Sequence, residues 1–235
     1  MMDDCIIVLL GAPGAGKGTQ AKRLAKKFSL THLSTGDALR EAVSKGIGVG
    51  KQVGEIMEAG ELVPDHLVAK IVHESMDALE GSRCFLLDGF PRNLSQAKFL
   101  EEMKVNASLL VINLRADEDV VTRRLSGRRY CADCGKIHNV HFSPPKKEAA
   151  CDVCEGKLIQ RKDDREEVIQ DRLRVYREET EPLIDYYSKK DNFFEVDGNR
   201  DPQTVFEEIS AKITSAQQST GNSPLAPLAV DQSTS

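Results

Sequence analysis

The sequence predicts an α/β fold, a parallel sheet flanked by helices, and three observations lead there. The run Cys5-Ile6-Ile7-Val8-Leu9-Leu10 is continuously apolar rather than alternating. That suits a strand buried on both faces of a parallel sheet. A glycine-rich turn follows it and opens an amphipathic helix. Short apolar runs then recur down the chain with helical stretches between them, the pattern of repeated βα units.

In chain order, Gln20 to Phe28 reads as the first helix. Ala21, Leu24, Ala25 and Phe28 fall at i, i+3, i+4 and i+7, on one face. His32-Leu33 is a short strand candidate. Residues 40–80 carry no strand signal and read as a helical excursion, with helices over Asp37 to Ala42 and Leu67 to Leu79. Strands are expected at Cys84-Phe85-Leu86-Leu87, at Leu109-Leu110-Val111-Ile112 and, more weakly, at Phe193-Phe194-Glu195-Val196. Helices are expected over Leu94 to Met103, Glu118 to Ser126 and Asp163 to about Lys189. Between them, residues 128–162 hold four cysteines, Pro144-Pro145 and few aliphatic side chains. Such a segment reads as a small insert that builds little core alone. Ser215 to Ser235 has no Lys or Arg and is rich in Ser, Thr, Gln and Pro, so it is expected to be disordered. There is no internal repeat.

Composition narrows the function classes. The chain has 235 residues, 32 Lys plus Arg against 37 Asp plus Glu, and a net charge of −5. Hydrophobic residues are 40% and charged residues 29%, the mix of a globular protein of one large domain, with room for an insert. No apolar run approaches the roughly 18 residues that a membrane span needs. The start, Met1-Met2-Asp3-Asp4, is acidic where a secretion signal is basic, so a cytoplasmic location without structural disulfides is expected. Cys5 and Cys84 then read as core thiols. An acidic chain with 5% aromatics and no Trp is a poor nucleic-acid binder.

The turn after the first strand is Gly11-Ala12-Pro13-Gly14-Ala15-Gly16-Lys17-Gly18-Thr19. Glycines let a row of backbone N–H groups close around phosphate, and the positive end of the next helix adds favourable potential. Lys17 reaches the terminal phosphates as a point charge. This is the P-loop pattern with one departure: Gly18 stands where Ser or Thr usually follows the lysine, and Thr19 comes next. Contact with magnesium is therefore expected through water. Phe85-Leu86-Leu87-Asp88 is a buried strand ending in a carboxylate. Alone, Asp88 reads equally as a turn cap. Beside a P-loop it reads as a holder of magnesium or its waters. The loop Gly89-Phe90-Pro91-Arg92 then sits at the sheet edge where α/β proteins bind ligands, and Arg92 offers a fork of donors to a phosphate.

Cys131-x2-Cys134-x16-Cys151-x2-Cys154 has the four-cysteine zinc spacing. Each C-x-x-C turn supplies one edge of a tetrahedron, and two turns close it. Redox dithiols and unmodified thiols are the competing readings, but a redox motif sits beside a βαβ unit and both pairs here lie in the insert. His138 and His141 are rival ligands only if the four thiols leave a position open.

Gly11 to Thr19, Ser34-Thr35-Gly36-Asp37, Asp88-Gly89-Phe90-Pro91-Arg92 and Arg161-Lys162-Asp163-Asp164 occur in that order. Together they resemble the adenylate kinase family in its long form, over about residues 5–213. The resemblance implies the P-loop nucleoside monophosphate kinase fold with two inserts. The core would comprise 1–33, 64–127 and 163–214, with 34–63 the helical AMP-binding region. Residues 128–162 would be the zinc-binding lid and 215–235 the tail. It implies magnesium-dependent, reversible phosphoryl transfer from ATP to AMP, giving two ADP. Gly14, Ala15, Gly16, Lys17, Gly18, Thr19, Arg124, Arg128 and Arg200 (the last by its backbone) would meet ATP. Thr35, Arg40, Glu61, Leu62, Val63, Gly89, Arg92, Gln96, Arg161 and Arg172 would meet AMP. Lys17, Asp88, Arg92, Arg128, Arg161 and Arg172 would carry catalysis, and Asp163 would orient arginines at the lid hinge. Arg124 and Arg128 share a helix face if the helix persists through Gly127. Taken singly, Thr35 and Gln96 read as a helix cap and a surface residue. Lid hinges are expected near 127–130 and 160–164. The expected partners are nucleotides, with no nucleic acid and no membrane, and the expected state is a monomer.

Three other readings compete. A kinase for pyrimidine monophosphates, or one using GTP as donor, is disfavoured by Thr35, Gln96 and the long lid. A nucleic-acid-binding P-loop protein is disfavoured by charge and composition. A nucleotide sensor without turnover is disfavoured by the complete set of Lys17, Asp88 and arginines.

Overall fold

A computed structural model describes residues 5–45, 50–77, 84–103 and 107–219. The chain runs β1 (Cys5–Leu10), α1 (Lys17–Phe28), β2 (Thr31–Ser34), α2 (Thr35–Ser44), α3 (Gly50–Glu58) and α4 (Asp65–Asp77). It continues through β3 (Cys84–Asp88), α5 (Leu94–Met103), β4 (Ser108–Arg115) and α6 (Glu118–Ser126). The insert holds β5 (Arg128–Cys131), β6 (Ile137–Asn139) and β7 (Leu158–Ile159). A 3-10 turn (Lys162–Asp164) then leads to α7 (Glu166–Val175), a π-helical turn (Tyr176–Thr180), α8 (Pro182–Tyr187), β8 (Phe193–Asp197) and α9 (Pro202–Ser219).

The main sheet has the order β2-β3-β1-β4-β8, and every neighbouring pair is parallel. From β1 the chain goes to one side through β2 and β3, then crosses to β4 on the other. The strand order thus switches at β1, where an open α/β sheet leaves a crevice at its carboxyl edge. Leu9 and Asp88 are register partners there, as are Ser34 and Asp88, so the P-loop and the Asp88 loop emerge side by side.

The continuous apolar run of β1 fills two cores. Ile7 and Leu9 face α1, α6, α7 and α9, packing with Leu24, Leu125, Ile169 and Ile209. Ile6, Val8 and Leu10 face α2 to α5 and α8, packing with Leu39, Val72, Leu100 and Tyr187. Each such side chain taken wholly out of water contributes about 1.5–3 kcal/mol. The insert's own core is Cys131, Cys151 and Leu158. A segment so poor in apolar burial needs another source of stability, as its composition indicates.

Several expectations are refined. The first helix begins at Lys17 rather than Gln20, because Gly16, with φ +106°, caps it. The second spans Thr35–Ser44, capped by the Ser34 side chain, which accepts the Asp37 N–H. The fourth covers Asp65–Asp77, and the expected end at Leu79 lies outside the described residues. Helix α6 stops at Ser126 and Arg128 begins a strand, so Arg124 and Arg128 do not share a helix face. The expected helix from Asp163 is divided by the π turn before Pro182. Cys5 and Cys84 are half-buried, in register on adjacent strands and joined as a disulfide rather than held as core thiols. Helix α9 carries order through Ser219, five residues into the segment expected to be disordered, and residues 220–235 lie outside the described ones. Among the described residues no helix is long and apolar enough to cross a membrane.

Candidate active site

A cavity of 610 Å³ opens along the carboxyl edge of the sheet, between the P-loop, the Asp88 loop and the insert. The P-loop bends through Gly11, Gly14 and Gly16, all with positive φ. A Cβ on Gly11 would lie 2.5 Å from the Leu114 carbonyl oxygen, so only glycine fits there. Lys17 folds its Nζ under the loop, donating to the Gly11 and Ala12 carbonyls at 2.6 and 2.9 Å. Burial lowers its pKa to about 8, against a partial lift from Asp88.

Asp88 lines the same cavity, its carboxylate 3.1 Å from where a Gly18 Cβ would sit. Thr19 is exposed in the first turn of α1. These hard oxygen donors beside the phosphate loop fit a water-bridged magnesium ion.

The cations converge from five parts of the chain. Arg40 (α2), Arg92 (the loop after β3), Arg128 (β5), Arg161 (the end of the insert) and Arg172 (α7) all line the cavity with Lys17. Burial is the first cause of the lowered pKa of Arg92 and of Arg161, each about 10, and in each a neighbouring arginine is the next. Arg172 is lowered too, chiefly by burial. Like charges held this close in a partly dry cleft call for anionic ligands.

Acids pin the arginines in place. Arg128 donates from Nε and Nη2 to the two carboxylate oxygens of Asp164, at 2.6 and 2.5 Å. Arg172 reaches Asp164 Oδ1 at 2.8 Å and Asp163 Oδ2 at 3.0 Å. Arg40 donates to Asp37 Oδ1 at 2.6 Å, and Arg161 lies 3.6 Å from the same oxygen. Arg92 is turned by its own loop, Nε donating to the Gly89 carbonyl at 2.9 Å.

The remaining expected contacts divide in two. Gly14, Ala15, Gly16, Gly18, Leu62, Gly89, Arg124 and Arg200 line the cavity. Arg124 donates to the Gly198 carbonyl at 2.8 Å, while the Arg200 side chain turns to Glu208. Thr35, Glu61, Val63 and Gln96 do not line it. Thr35 is buried and donates to the Gly89 carbonyl at 2.8 Å. Gln96 is buried too, accepting from Arg92 N at 2.8 Å and donating to Asp65 at 2.7 Å. Glu61 is exposed and pairs with Arg174 at 3.0 Å, and Val63 is core. Both Thr35 and Gln96 therefore brace the Gly89–Arg92 loop.

Four residues of consequence were not singled out from sequence. Asp164 is fully buried and joins two arginines, whereas only its neighbour Asp163 was expected to orient them. Asp37 holds Arg40 and faces Arg161. His32 Nε2 lies 3.7 Å from Asp88 Oδ2. Phe142 is half exposed on the cavity wall, within cation–π range of Arg123 and Arg124. Asp37 and Arg40 lie one helical turn apart, so their i, i+3 spacing could have signalled that pair, whereas Arg128–Asp164 and His32–Asp88 join residues far apart along the chain.

The insert carries a second centre. Cys131, Cys134, Cys151 and Cys154 bring their sulfurs within 4.8 Å of one another. Two of the separations are 3.4 and 3.6 Å. Zinc–sulfur bonds of about 2.3 Å in a tetrahedron give edges of about 3.8 Å, so the four thiols fit zinc. The two turns are alike: Gly135 N donates to the Cys131 carbonyl at 3.0 Å and Glu155 N to the Cys151 carbonyl at 2.9 Å. The backbone N–H of Cys134 leads in lowering the Cys131 thiol to about 7, while, against the backbone N–H of Gly156, the neighbouring cysteines push the Cys154 thiol up to about 12. With four ligands the centre leaves no open position, which suits a structural role.

Comparison with known proteins agrees with this geometry. A family model described as adenylate kinase matches residues 9–192. The chain is 48% identical to an adenylate kinase of Archaeoglobus fulgidus over 208 residues, covering 87% of this chain and 96% of that one. It is 50% identical to one of Thermodesulfovibrio yellowstonii, covering 87% and 97%. To one of Clostridioides difficile it is 42% identical, covering 90% and 99%.

Proposed function

The chain belongs to the adenylate kinase family of nucleoside monophosphate kinases, and on that premise we propose that it moves a phosphoryl group from ATP to AMP, reversibly, giving two ADP. The observation that carries this reading is the convergence of Lys17, Arg40, Arg92, Arg128, Arg161 and Arg172 on one cavity beside the P-loop. An oxygen of the AMP phosphate attacks the γ-phosphorus of ATP. The bond to the β,γ-bridging oxygen breaks, and that oxygen leaves with ADP.

The transition state is loose and rich in negative charge, so alignment and fixed positive charge do most of the work. In this proposal the P-loop N–H groups and Lys17 hold the ATP phosphates. Arg40 and Arg92 hold the AMP phosphate, and Arg128, Arg161 and Arg172 surround the group in flight. Asp88 and Thr19 would hold magnesium, which would supply further positive charge beside the ATP phosphates. No side chain has to accept a proton, since a nucleotide phosphate is itself the nucleophile.

The base contacts are part of the proposal. Thr35, Glu61, Leu62, Val63, Gly89 and Gln96 form the acceptor side, with Thr35 and Gln96 shaping the loop under the adenine. Gly14 to Thr19, Arg124 and the Arg200 backbone form the donor side. Residues 34–63 and 128–162 are proposed to close over AMP and ATP and exclude water, which protects ATP from hydrolysis. Lys162 and Glu58, 2.8 Å apart, already link the base of the insert to α3. The four thiols are proposed to hold a structural zinc. The proposed catalyst is a monomer.

The test is ADP formation from ATP with AMP, CMP, UMP and GMP in turn, with magnesium, and the metal content read on the same sample. Turnover with AMP far above the others, and one zinc per chain, are expected. Turnover with CMP or UMP instead would reassign the acceptor, and no turnover with any would defeat the reading.

A further inference from the structure

Thr180 closes the π-helical turn between α7 and α8. It is buried, at the wall of the nucleotide cavity. A threonine in a helix often bonds back to a carbonyl of its own preceding turn. The Thr180 hydroxyl instead donates to the Arg92 carbonyl at 2.7 Å, across 88 residues of sequence. Arg92 is thereby held at its N–H by Gln96, at its Nε by the Gly89 carbonyl and at its own carbonyl by Thr180. The π turn brings Thr180 to that place. Glu181 N donates to the Tyr176 carbonyl at 2.8 Å, an i to i+5 closure that takes in one residue more than an α turn. In an unbroken α-helix, residues eight apart stand about 80° out of phase. The extra residue removes most of that offset and returns Thr180 to the Arg172 face, and both residues line the cavity. Single π turns are frequent at functional sites.

We propose that Thr180 is a positioning residue for phosphoryl transfer: its hydroxyl locks the Arg92 main chain to the helical segment that carries Arg172, so that both guanidinium groups meet the acceptor phosphate at a fixed spacing. A tether is needed there because the two charges repel. After burial, Arg172 is the neighbour that most lowers the Arg92 pKa, which places both in one region of the cleft. Arg172 is itself tied through Asp163 and Asp164 to the base of the insert. Arg92 belongs to the loop after β3, on the far side of the cavity from that base. The Thr180 hydroxyl therefore joins the two sides with a neutral bond that leaves both charges free for the ligand. Charge fixed in advance needs no reorganisation when the transition state forms. This inference rests on Arg92 and Arg172 serving the phosphate as proposed above. It goes further in naming what holds them together.

The experiment uses the full chain with magnesium and measures ADP formation as AMP and ATP are varied in turn, for the parental protein, Thr180→Val and Thr180→Ser. Thr180→Val keeps the shape but leaves the Arg92 carbonyl without its donor. It is expected to lower kcat/KM for AMP by about tenfold or more, with KM for ATP near the parental value. Thr180→Ser keeps the hydroxyl and should recover most of that loss. A threonine that only fills space would leave the kinetics of Thr180→Val unchanged, or raise both KM values alike. Either result overturns the inference, as does a Thr180→Ser protein as impaired as Thr180→Val. In an Arg92→Ala background, Thr180→Val should add little further loss, because it acts through Arg92, and a second loss of the same size there also overturns the inference. Should Thr180→Val fail to fold, Thr180→Ala is judged by the same readings. A parental protein that forms no ADP from ATP and AMP defeats the proposed function itself, a result distinct from an active parent whose variants match it.

Discussion

Arg128 and Asp164 stand 36 residues apart in sequence, yet two hydrogen bonds of 2.6 and 2.5 Å join them across the base of the insert. Asp164 is fully buried and holds Arg172 as well. Gln160 Nε2 donates to the Asp164 carbonyl at 2.8 Å and to that of Ser126 at 3.3 Å, tying together the two chain segments that leave the core. The place where the insert leaves the core is thus also the place where two arginines of the cavity are held.

Replacing Asp164 with Asn should expose that coupling. The substitution keeps the shape but leaves two guanidinium groups facing an uncharged amide. Breaking a buried pair from one side costs about 3–5 kcal/mol. Denaturant unfolding should show a loss of that size, and kcat should fall with it because Arg128 and Arg172 lose their aim. Unchanged stability and kcat would mean the pair is incidental.

Lys17 sets a pH dependence whose sign follows from its environment. Burial lowers its pKa to about 8 from the usual 10.5. Phosphates arriving against it favour the protonated form, so the complex binds more protons than the free protein above about pH 8. ATP affinity should therefore fall as pH rises through 8, by up to about tenfold per unit. In the free protein the burial penalty is full below about 8 and fades towards 10.5, so this group's contribution to stability rises over that window. Titration calorimetry at several pH values should find the slope, and Lys17→Met should abolish it.

Arg92 is anchored by Gly89 and braced by Gln96, so truncation to Ala removes a pre-aimed fork of donors. Loss of about 10²–10⁴ in kcat is expected if it meets the transferring group. Gln96→Ala leaves the charge but frees the Arg92 N–H, so a smaller loss is expected, seen mainly in KM for AMP. A Gln96→Ala variant as impaired as Arg92→Ala would mean that Gln96 contacts the nucleotide directly.

Two glycines of the P-loop should respond differently to a methyl group. Both Gly11 and Gly16 have positive φ, which strains any other residue by about 1–3 kcal/mol. Gly16 has open space where a Cβ would go, whereas Gly11 has the Leu114 oxygen at 2.5 Å. Gly11→Ala should therefore be the more destabilising, through clash added to strain. Thermal unfolding of the two variants side by side checks the order.

Residues that act on their near neighbours in the chain were legible beforehand. The strand–glycine loop–lysine–helix unit needs only one contiguous segment, because a phosphate is cradled by consecutive N–H groups. The cysteine pairs are equally local, since each C-x-x-C turn presents two sulfurs by itself. An unbroken apolar run told that both faces of β1 are buried but not which helices each face meets: Ile7 and Leu9 serve one core, and Ile6 and Val8 the other. The end of α6 at Ser126 fell where the sequence placed it, whereas the entry of Arg128 into a strand was not legible, because it depends on pairing with Asn139 of β6.

The amino-acid order alone settled the fold class, the phosphate loop, the acidic strand end and the four-thiol spacing, because short-range geometry is written in consecutive residues. It could not say that Asp164 rather than Asp163 would be wholly enclosed, nor that Thr35 and Gln96 would turn inward to hold the Arg92 loop. It could not pair Cys5 with Cys84. Those outcomes depend on which distant segments the sheet and its inserts bring within 3 or 4 Å. A side chain's partner is chosen by that packing, since burying a polar group is tolerable only where a matching one is waiting.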